Sequence, residues 1–90
     1  MKKATDRDVL PCMCCAHLSI EEYGTFEICP VCFWDDDNLQ KKDPDRAGGT
    51  NALSLNQSRE NYRIFGAVKE KFIKKVRPPR QEEIHEGNGR

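Results

Sequence analysis

Apolar and polar residues alternate along the segment HLSIEEYGTFEIC. Leu18 and Ile20 hold alternate positions before Gly24, and Phe26 and Ile28 do so after it. A period of two is typical of half-buried strands, and glycine readily adopts the backbone angles of a tight turn. The pattern therefore predicts a β-hairpin with strands of about 4–5 residues that meet across a turn at Gly24.

A helical pattern occurs further along, in the segment SLNQSRENYRIFG. Ser54 can cap this helix, with Gln57 three residues later as in a capping box. Gly66 stands where the end of a helix favours a left-handed residue. One face of the helix carries the apolar side chains of Leu55, Tyr62 and Phe65. We expect that face to pack against the core.

A second, shorter helix is predicted in the segment AVKEKFIKKVRPP. Val68, Phe72 and Val76 recur there at spacings of four. Because a proline disfavours the helical conformation of the residue before it, this helix should end before Pro78. The predicted fold class is therefore small α+β, a hairpin followed by two short helices.

The composition indicates that apolar burial alone does not stabilise this fold. Only 37% of the 90 residues are hydrophobic, 33% are charged, and the mean hydropathy is -0.81. A chain of this length forms one small domain, and such domains usually need a metal, disulfides or a partner. We place the domain at residues 11–79, between an N-terminal arm at 1–10 and a polar, flexible tail at 80–90.

The expected compartment is the cytoplasm. The N-terminal arm carries two lysines without the apolar run of a signal peptide behind them. No stretch of the sequence is long and apolar enough to cross a membrane, so a membrane is not an expected partner. Thiols stay reduced in the cytoplasm, and five cysteines in such a chain favour metal or redox chemistry over disulfides.

Four of the cysteines form two C-x-x-C pairs, Cys12 with Cys15 and Cys29 with Cys32, with 13 residues between the pairs. This is close to the spacing of structural zinc sites, in which each C-x-x-C turn directs two thiolates toward one point. The predicted hairpin would bring the second pair back beside the first. The sequence therefore predicts a zinc-ribbon-like hairpin with two metal-binding turns and a closed, structural Cys₄ zinc site.

Cys14, His17 and His85 are the other cysteine and histidine residues of the sequence, and their side chains could bind a metal ion. Cys14 is a surplus thiol within the first turn and could replace Cys12 or Cys15 as a ligand. His17 and His85 find no vacancy in a shell of four cysteines, so we expect His17 at or near the surface and His85 unliganded in the polar tail.

The second cysteine pair also permits a redox interpretation. Cys29 and Cys32 in CPVC resemble the dithiol of thioredoxin-like proteins. That motif places its first cysteine at the N-terminus of a helix, whereas the residues FWDDD that follow here do not continue as an obvious helix. Two buried or disulfide-bonded pairs are the remaining alternative for the four cysteines.

The residues after the second pair are candidates for contact with a partner. Trp34 is predicted to lie in the core, and an exposed Trp34 that anchors a partner is the alternative. Asp35, Asp36 and Asp37 predict either a solvated acidic loop or a docking surface for a basic protein.

The net charge of zero conceals two patches of opposite sign. Residues 21–45 carry eight acids and two lysines, whereas residues 67–80 carry six bases and one acid. The second patch could contact phosphates or could be the solvated side of an amphipathic helix. A whole-molecule charge near zero gives no general reason to bind nucleic acid.

A run of motifs in order resembles the bacterial cysteine-rich CPCC family. These motifs are CMCC, ICPVCFWDDD, DPDRAGG, SLNQSRENYRIFGA and VRPP, and they extend over residues 11–79. Met13 departs from the family, which has proline there, and Ala16 stands where a glycine commonly follows such a turn. The resemblance implies a small bacterial zinc-ribbon-like domain without catalytic residues.

Three functions remain open on the sequence alone. The first is a non-catalytic zinc module that binds a protein, in particular as an immunity protein that neutralises a toxin. The second is a nucleic-acid-binding zinc ribbon that uses the basic C-terminal helix. The third is an enzyme, either a thiol oxidoreductase that uses Cys29 and Cys32 or a hydrolase with an open zinc site. Iron in place of zinc is a further alternative for the metal.

Overall fold

A computed structural model of the protein describes residues 9–84. Its elements, in chain order, are β1 (Leu10–Pro11), β2 (Leu18–Ile20), α1 (Asn38–Lys42), α2 (Leu55–Phe65) and two 3₁₀ helices (Glu70–Lys75 and Gln81–Glu83). The described part is therefore a small α+β domain. Most of the predicted N-terminal arm, His85 and the rest of the predicted tail lie outside the described residues.

The strands of the described part form an antiparallel pair of β1 with β2. Leu10 lies opposite Ile20, and the register shifts at the next residue. A hairpin is thus present, but the predicted pairing of β2 with the segment around Phe26 is wrong. Ile28 instead forms an isolated antiparallel bridge with Asp35.

The backbone therefore pairs across each cysteine turn. Strand β1 pairs with β2 across the first turn, and Ile28 pairs with Asp35 across the second. The backbone N–H of Cys12 donates to the carbonyl of His17 at 2.9 Å, and that of Cys29 donates to the carbonyl of Trp34 at 2.9 Å. Phe26 has a φ of 60°, in the left-handed region, which interrupts the strand that the alternation predicted. Alternation identifies extended residues but does not identify the strand they pair with.

Helix α1 lies in a segment for which the sequence analysis predicted no helix. Asp37 caps it, because its carboxylate accepts hydrogen bonds from the backbone N–H of Leu39 at 2.8 Å and of Gln40 at 3.2 Å. Lys41 and Lys42 in the last turn interact favourably with the helix dipole. The sequence analysis missed this five-residue helix because a cap, and not an apolar period, defines it.

Helix α2 confirms the predicted boundaries. The hydroxyl of Ser54 accepts a hydrogen bond from the backbone of the third helical residue at 3.1 Å. Gly66 has a φ of 81° and donates its N–H to the carbonyl of Tyr62. Leu55 is fully buried, but Phe65, which the pattern placed on the same face, is 36% exposed.

The second predicted helix is a 3₁₀ helix, Glu70–Lys75. Lys69 before it is extended and offers no side-chain cap, and six residues are too few to propagate an α-helix without support. Val68 is buried and Phe72 packs against the core, and the helix ends before Pro78 as predicted.

The start of the predicted tail is folded. Glu83, in the second 3₁₀ helix, is buried and accepts two hydrogen bonds from the guanidinium of Arg77, at 2.8 and 2.7 Å. It also accepts the backbone N–H of Arg80 at 2.7 Å. This ion pair joins the second 3₁₀ helix to Arg77.

The core is built around sulfur and a few large apolar side chains. Its buried members are Cys12, Cys14, Cys15, Ile20, Cys29, Val31, Cys32, Trp34, Leu55 and Val68. Trp34 is fully buried, which confirms its predicted place in the core and leaves no exposed surface for a partner. Within the described range, no helix is suited in length and apolarity to span a membrane.

Candidate metal centre

The two cysteine turns have the same backbone hydrogen bonds. In each turn the carbonyl of the first cysteine, Cys12 or Cys29, accepts the N–H four residues later at 2.8 Å. In each turn the sulfur of that cysteine also accepts the N–H two residues later, at 3.4 Å for Cys12 and 3.3 Å for Cys29. Both C-x-x-C segments therefore form the same kind of turn, with the same set of local hydrogen bonds.

A left-handed residue ends each turn. Ala16 has a φ of 67° and Phe33 has a φ of 76° at the equivalent position. For a residue with a side chain this conformation costs about 1–2 kcal/mol. Phe33 packs its ring against Phe72, with ring centroids 4.5 Å apart, whereas the methyl group of Ala16 is exposed.

Replacing Ala16 with glycine is expected to raise the free energy of unfolding by about 0.5–1 kcal/mol. The change relieves the left-handed strain, and the greater freedom of glycine in the unfolded chain offsets only part of that gain. Thermal unfolding of the metal-loaded protein should show a melting temperature about 3–6 °C higher. Phe33→Gly relieves the same strain but removes the contact with Phe72, so it should lower stability. A lower melting temperature for Ala16→Gly would contradict this explanation.

Four sulfur atoms converge between the two turns. The Sγ atoms of Cys12, Cys15, Cys29 and Cys32 all lie within 4.8 Å of one another. The Sγ of Cys12 is 3.6 Å from that of Cys32, and the Sγ of Cys15 is 3.7 Å from that of Cys29. A tetrahedral ion with metal–sulfur bonds of about 2.3 Å requires sulfur atoms about 3.8 Å apart. The four cysteines could therefore hold a metal ion, and the donor set suits zinc or iron.

The four thiols are buried and influence one another. Hydrogen bonding with Cys12 raises the pKa of Cys15 and of Cys32, whereas hydrogen bonding from Cys12 lowers the pKa of Cys29. Thiols crowded in this way share protons, because several thiolates at one point would repel each other. A soft cation removes that repulsion and stabilises all four groups as thiolates.

Ser19 on β2 adds a hydrogen-bonding group to the site. Its hydroxyl lies 3.1 Å from the Sγ of Cys29. Hydrogen bonds to coordinating sulfur orient the ligand and spread its charge. The sequence analysis missed Ser19 because the contact depends on how β2 pairs, and no local pattern connects a serine with a cysteine ten positions later.

Cys14 and His17 do not belong to the group of four. Cys14 is buried, with 8% of its surface exposed, but its sulfur is not among the converging atoms. His17 packs edge-on against the ring of Tyr62, with centroids 6.1 Å apart. Burial and the nearby thiol of Cys15 raise the pKa of Tyr62 to about 12. The structure therefore assembles the predicted ligands without the alternative ligand Cys14.

Two of the three acidic residues are buried, which fits neither the solvated acidic loop nor the docking surface that the sequence analysis left open. Asp36 is fully buried and Asp37 is only 6% exposed, while Asp35 is partly exposed. Asp36 accepts the backbone N–H of Gly24 at 2.6 Å and lies 3.6 Å from the ammonium of Lys41. The carboxylates of Asp36 and Asp37 accept hydrogen bonds from within the fold, so two of the three acidic residues are not available to a partner.

Behind them lies a polar cluster of Asp37, Gln40, Thr50 and Asn51, in which Asp37 and Gln40 are buried, Asn51 is partly exposed and Thr50 is exposed. Asp37 accepts the backbone N–H of Thr50 at 3.0 Å and its hydroxyl at 2.9 Å. The hydrogen bond from the Thr50 backbone lowers the pKa of Asp37. Gly49 must be a glycine here, since a Cβ would lie 2.8 Å from the Oδ2 of Asp37 and 2.9 Å from the Cδ of Gln40.

Gln40 is the centre of this polar cluster. It is fully buried, and its Nε2 lies within 3.1 Å of the carbonyl oxygens of Arg46, Asn51 and Leu53. Its Oε1 accepts the backbone N–H of Asn51 at 3.1 Å and the side-chain amide at 2.9 Å. Asp37 and Gln40 stand three positions apart, a capping-box spacing that could have revealed both.

The basic segment is less exposed than its charge suggests. Arg77 is paired with Glu83, and the ammonium of Lys71 lies 5.5 Å from the centroid of the Phe72 ring. The exposed bases of this segment are Lys71, Lys74, Lys75 and Arg80. A phosphate-binding surface would therefore rest on fewer cations than the six in the sequence.

Comparison with protein families adds one finding. A family model described as cysteine-rich CPCC matches residues 10–83, which include both cysteine turns, both α-helices and Glu83. A search of curated proteins found no match.

Proposed function

The chain belongs to the cysteine-rich CPCC family, and from that starting point we propose that it is a non-catalytic binding module built on a structural zinc ion. The residues that would hold the ion are Cys12, Cys15, Cys29 and Cys32. One observation carries the proposal: the four sulfur atoms are buried and lie within 4.8 Å of one another. The ion would join the two cysteine turns.

Zinc suits this donor set for energetic reasons. It accepts four thiolates without a geometric preference of its own. A structural zinc ion contributes an apparent binding free energy on the order of 10–16 kcal/mol, whereas whole small domains are stable by about 5–15 kcal/mol. With few large apolar side chains in the core, the ion would supply most of the stability of the fold.

The absence of catalysis is proposed from the completeness of the shell. Four protein ligands fill a tetrahedral zinc site, whereas catalytic zinc keeps a position open for water or substrate. The dithiol alternative has less support. Short sulfur contacts join Cys29 to Cys15 and Cys32 to Cys12, across the two turns, and a left-handed Phe33 follows the pair in place of a helix.

The proposed partner is a protein. Phe26 and Ile28 are 55% and 50% exposed, and Ile64 is 60% exposed. Apolar side chains of this kind form the central part of many protein interfaces. If the protein is an immunity protein that neutralises a toxin, these residues are the candidates for contact, because Asp36, Asp37 and Trp34 are buried.

Metal analysis with thiol counting tests the proposed centre. We expect one zinc ion per chain and, in the loaded protein, slow reaction of at most one thiol, Cys14, because it is nearly buried. A strong chelator should make all five thiols react quickly. Two or more fast thiols in the loaded protein, or a purified folded protein without metal, would contradict the proposal.

Affinity capture with the loaded and the chelated protein tests the binding part of the same proposal. A protein retained only by the loaded form is the expected result, because the surface depends on the ion. Nucleic acid retained at low salt and lost steeply as salt rises would favour the nucleic-acid alternative instead.

A further inference from the structure

An open groove of about 340 Å³ lies between the last turn of α2 and the segment that contains the two adjacent prolines. One side of the groove consists of Tyr62 and Gly66, and the other side consists of Ile73 and residues 76–79. None of these residues belongs to the metal centre or to the polar cluster around Gln40. Because the groove is open to solvent, it suits a side chain from another protein better than an enclosed small molecule.

The two sides of the groove are fixed to the two cysteine turns. The ring of Tyr62 packs edge-on against His17, which follows the first turn. The backbone N–H of Arg77 donates to the carbonyl of Pro30, within the second turn, at 3.2 Å. The guanidinium of Arg77 is in addition held by the carboxylate of Glu83. A groove with walls fixed in this way is formed before a partner arrives, so binding needs little further ordering of the chain.

The lining of the groove is mostly apolar. Ile73 is 44% exposed, and Val76, Pro78 and Pro79 add aliphatic surface beside it. Phe65, next to Gly66 in sequence, is 36% exposed. A large apolar side chain that entered the groove would remove this surface from water, which favours binding.

The charge on this segment is positive. Residues 73–80 contain four bases and no acid, and the wider segment 69–83 contains six bases and three acids. Arg77 is paired with Glu83, whereas Lys74, Lys75 and Arg80 are exposed and form no ion pair with another of the described residues. A partner with carboxylates around its apolar side chain is therefore complementary in charge to the segment.

We propose that this groove receives an acidic segment of the protein partner, with one large apolar side chain seated against Ile73 and Val76. The carboxylates of that segment would lie beside Lys74, Lys75 and Arg80. The inference rests on the proposed binding function and adds the chemistry of the partner. Its charge is opposite to that of the basic partner that the acidic triplet of the sequence predicted.

The lining of the groove favours an acidic peptide over nucleic acid. Proteins that bind single strands stack the bases on aromatic rings beside a row of cations. Tyr62 is the aromatic residue among those that line the groove, and His17 already packs against its ring. Aliphatic side chains such as Ile73 and Val76 suit an aliphatic or aromatic side chain of a peptide instead.

Titration of the full-length protein, as purified, with defined probes tests the proposal. The first probe is a short blocked peptide with one central phenylalanine flanked by aspartates and glutamates. The second has alanine at the centre, the third has lysines as flanks, and the fourth is a short single-stranded DNA of mixed sequence. Amide chemical shifts should saturate with the first peptide, mainly at Gly66, Ile73 and Val76. We expect the alanine peptide to bind about tenfold more weakly and the lysine peptide not to bind.

Two variants and a matched control make the test specific. Changing Lys74→Gln and Lys75→Gln together should weaken the acidic phenylalanine peptide at least about threefold, and Ile73→Ala should do the same. All three residues are exposed, so the fold and the metal content should not change. Lys42→Gln with Arg46→Gln removes two exposed bases outside the groove and should leave the affinity unchanged.

Several results would overturn the proposal. These are the absence of a saturable shift up to about 10 mM acidic peptide, equal affinity for the lysine peptide, and unchanged affinity in either variant. Tighter binding of the DNA at the same residues would assign the groove to nucleic acid instead. A partner captured equally well by the unchanged protein and by Ile73→Ala would overturn this inference alone and leave the proposed binding function intact.

Discussion

The Cys29→Ser variant is expected to be unfolded under conditions in which the unchanged chain is folded. Serine cannot replace a thiolate in the group of four sulfur atoms, so the ion loses a ligand. The binding free energy at stake, on the order of 10–16 kcal/mol for a structural zinc ion, exceeds the stability of most small domains, about 5–15 kcal/mol. Far-UV circular dichroism, amide NMR dispersion and metal content should show the loss together.

Cys14→Ser provides the matched control for this variant. It is the same substitution at a buried cysteine of one of the two cysteine turns, but its sulfur lies outside the group of four. We expect this variant to keep its metal and its fold, at a cost of about 1–2 kcal/mol for the altered buried side chain. A folded, metal-free Cys29→Ser protein would contradict the structural role of the ion. Loss of metal in Cys14→Ser would contradict the assignment of ligands.

Gln40→Leu is expected to lower the free energy of unfolding by about 3 kcal/mol or more. Leucine fills much of the same space, but the three carbonyl oxygens that share the two hydrogens of Gln40 Nε2 lose their donor, and the backbone N–H of Asn51 loses its acceptor. Each such group that stays away from water costs about 1–3 kcal/mol. Urea denaturation at a fixed concentration of free zinc measures the change without a contribution from altered metal binding.

The control for Gln40→Leu lies at the same position of the other helix. Gln57 is the third residue after the cap of α2, as Gln40 is the third after the cap of α1. Gln57 is exposed and its side chain bonds only to Asn61 among the described residues, at 3.3 Å. Gln57→Leu should change stability by no more than about 0.5 kcal/mol. Equal changes in the free energy of unfolding at the two glutamines would show that the polar cluster around Gln40 does not stabilise the fold.

Features with a local physical cause were predictable from the sequence. The boundaries of α2 depend on Ser54 and Gly66, which act within one turn of the helix. Within each C-x-x-C segment the spacing alone directs two sulfur atoms toward one point. The meeting of the two pairs does not follow from that spacing, because the hairpin predicted to bring them together is not the pairing that forms.

Strand pairing was not predictable in the same way. The alternation of Leu18 and Ile20 is real, and these residues do form β2. Alternation is equally consistent with a partner before or after the strand, and here the partner is β1, on the far side of the first turn. The left-handed backbone of Phe26 decides between them, and its side chain gives no sign of that conformation.

The polar interior was missed for a different reason. Asp36, Asp37 and Gln40 are residue types that usually lie at the surface, so composition places them in a loop. Each is buried because its oxygen or amide atoms meet partners supplied by other parts of the chain. In the sequence, only Gly49 and the three-residue spacing of Asp37 and Gln40 indicate that these side chains are buried together.

The equivalence of the two cysteine turns has a consequence for the order of folding events. Each turn closes through backbone hydrogen bonds that span only four or five residues, on a timescale of about a microsecond or less for so short a loop. The proposed ion would then meet two preformed half-sites rather than four scattered thiols. The entropy lost in gathering the ligands would be divided between two rapid local steps and one docking step, and metal concentration would control the rate of the docking step.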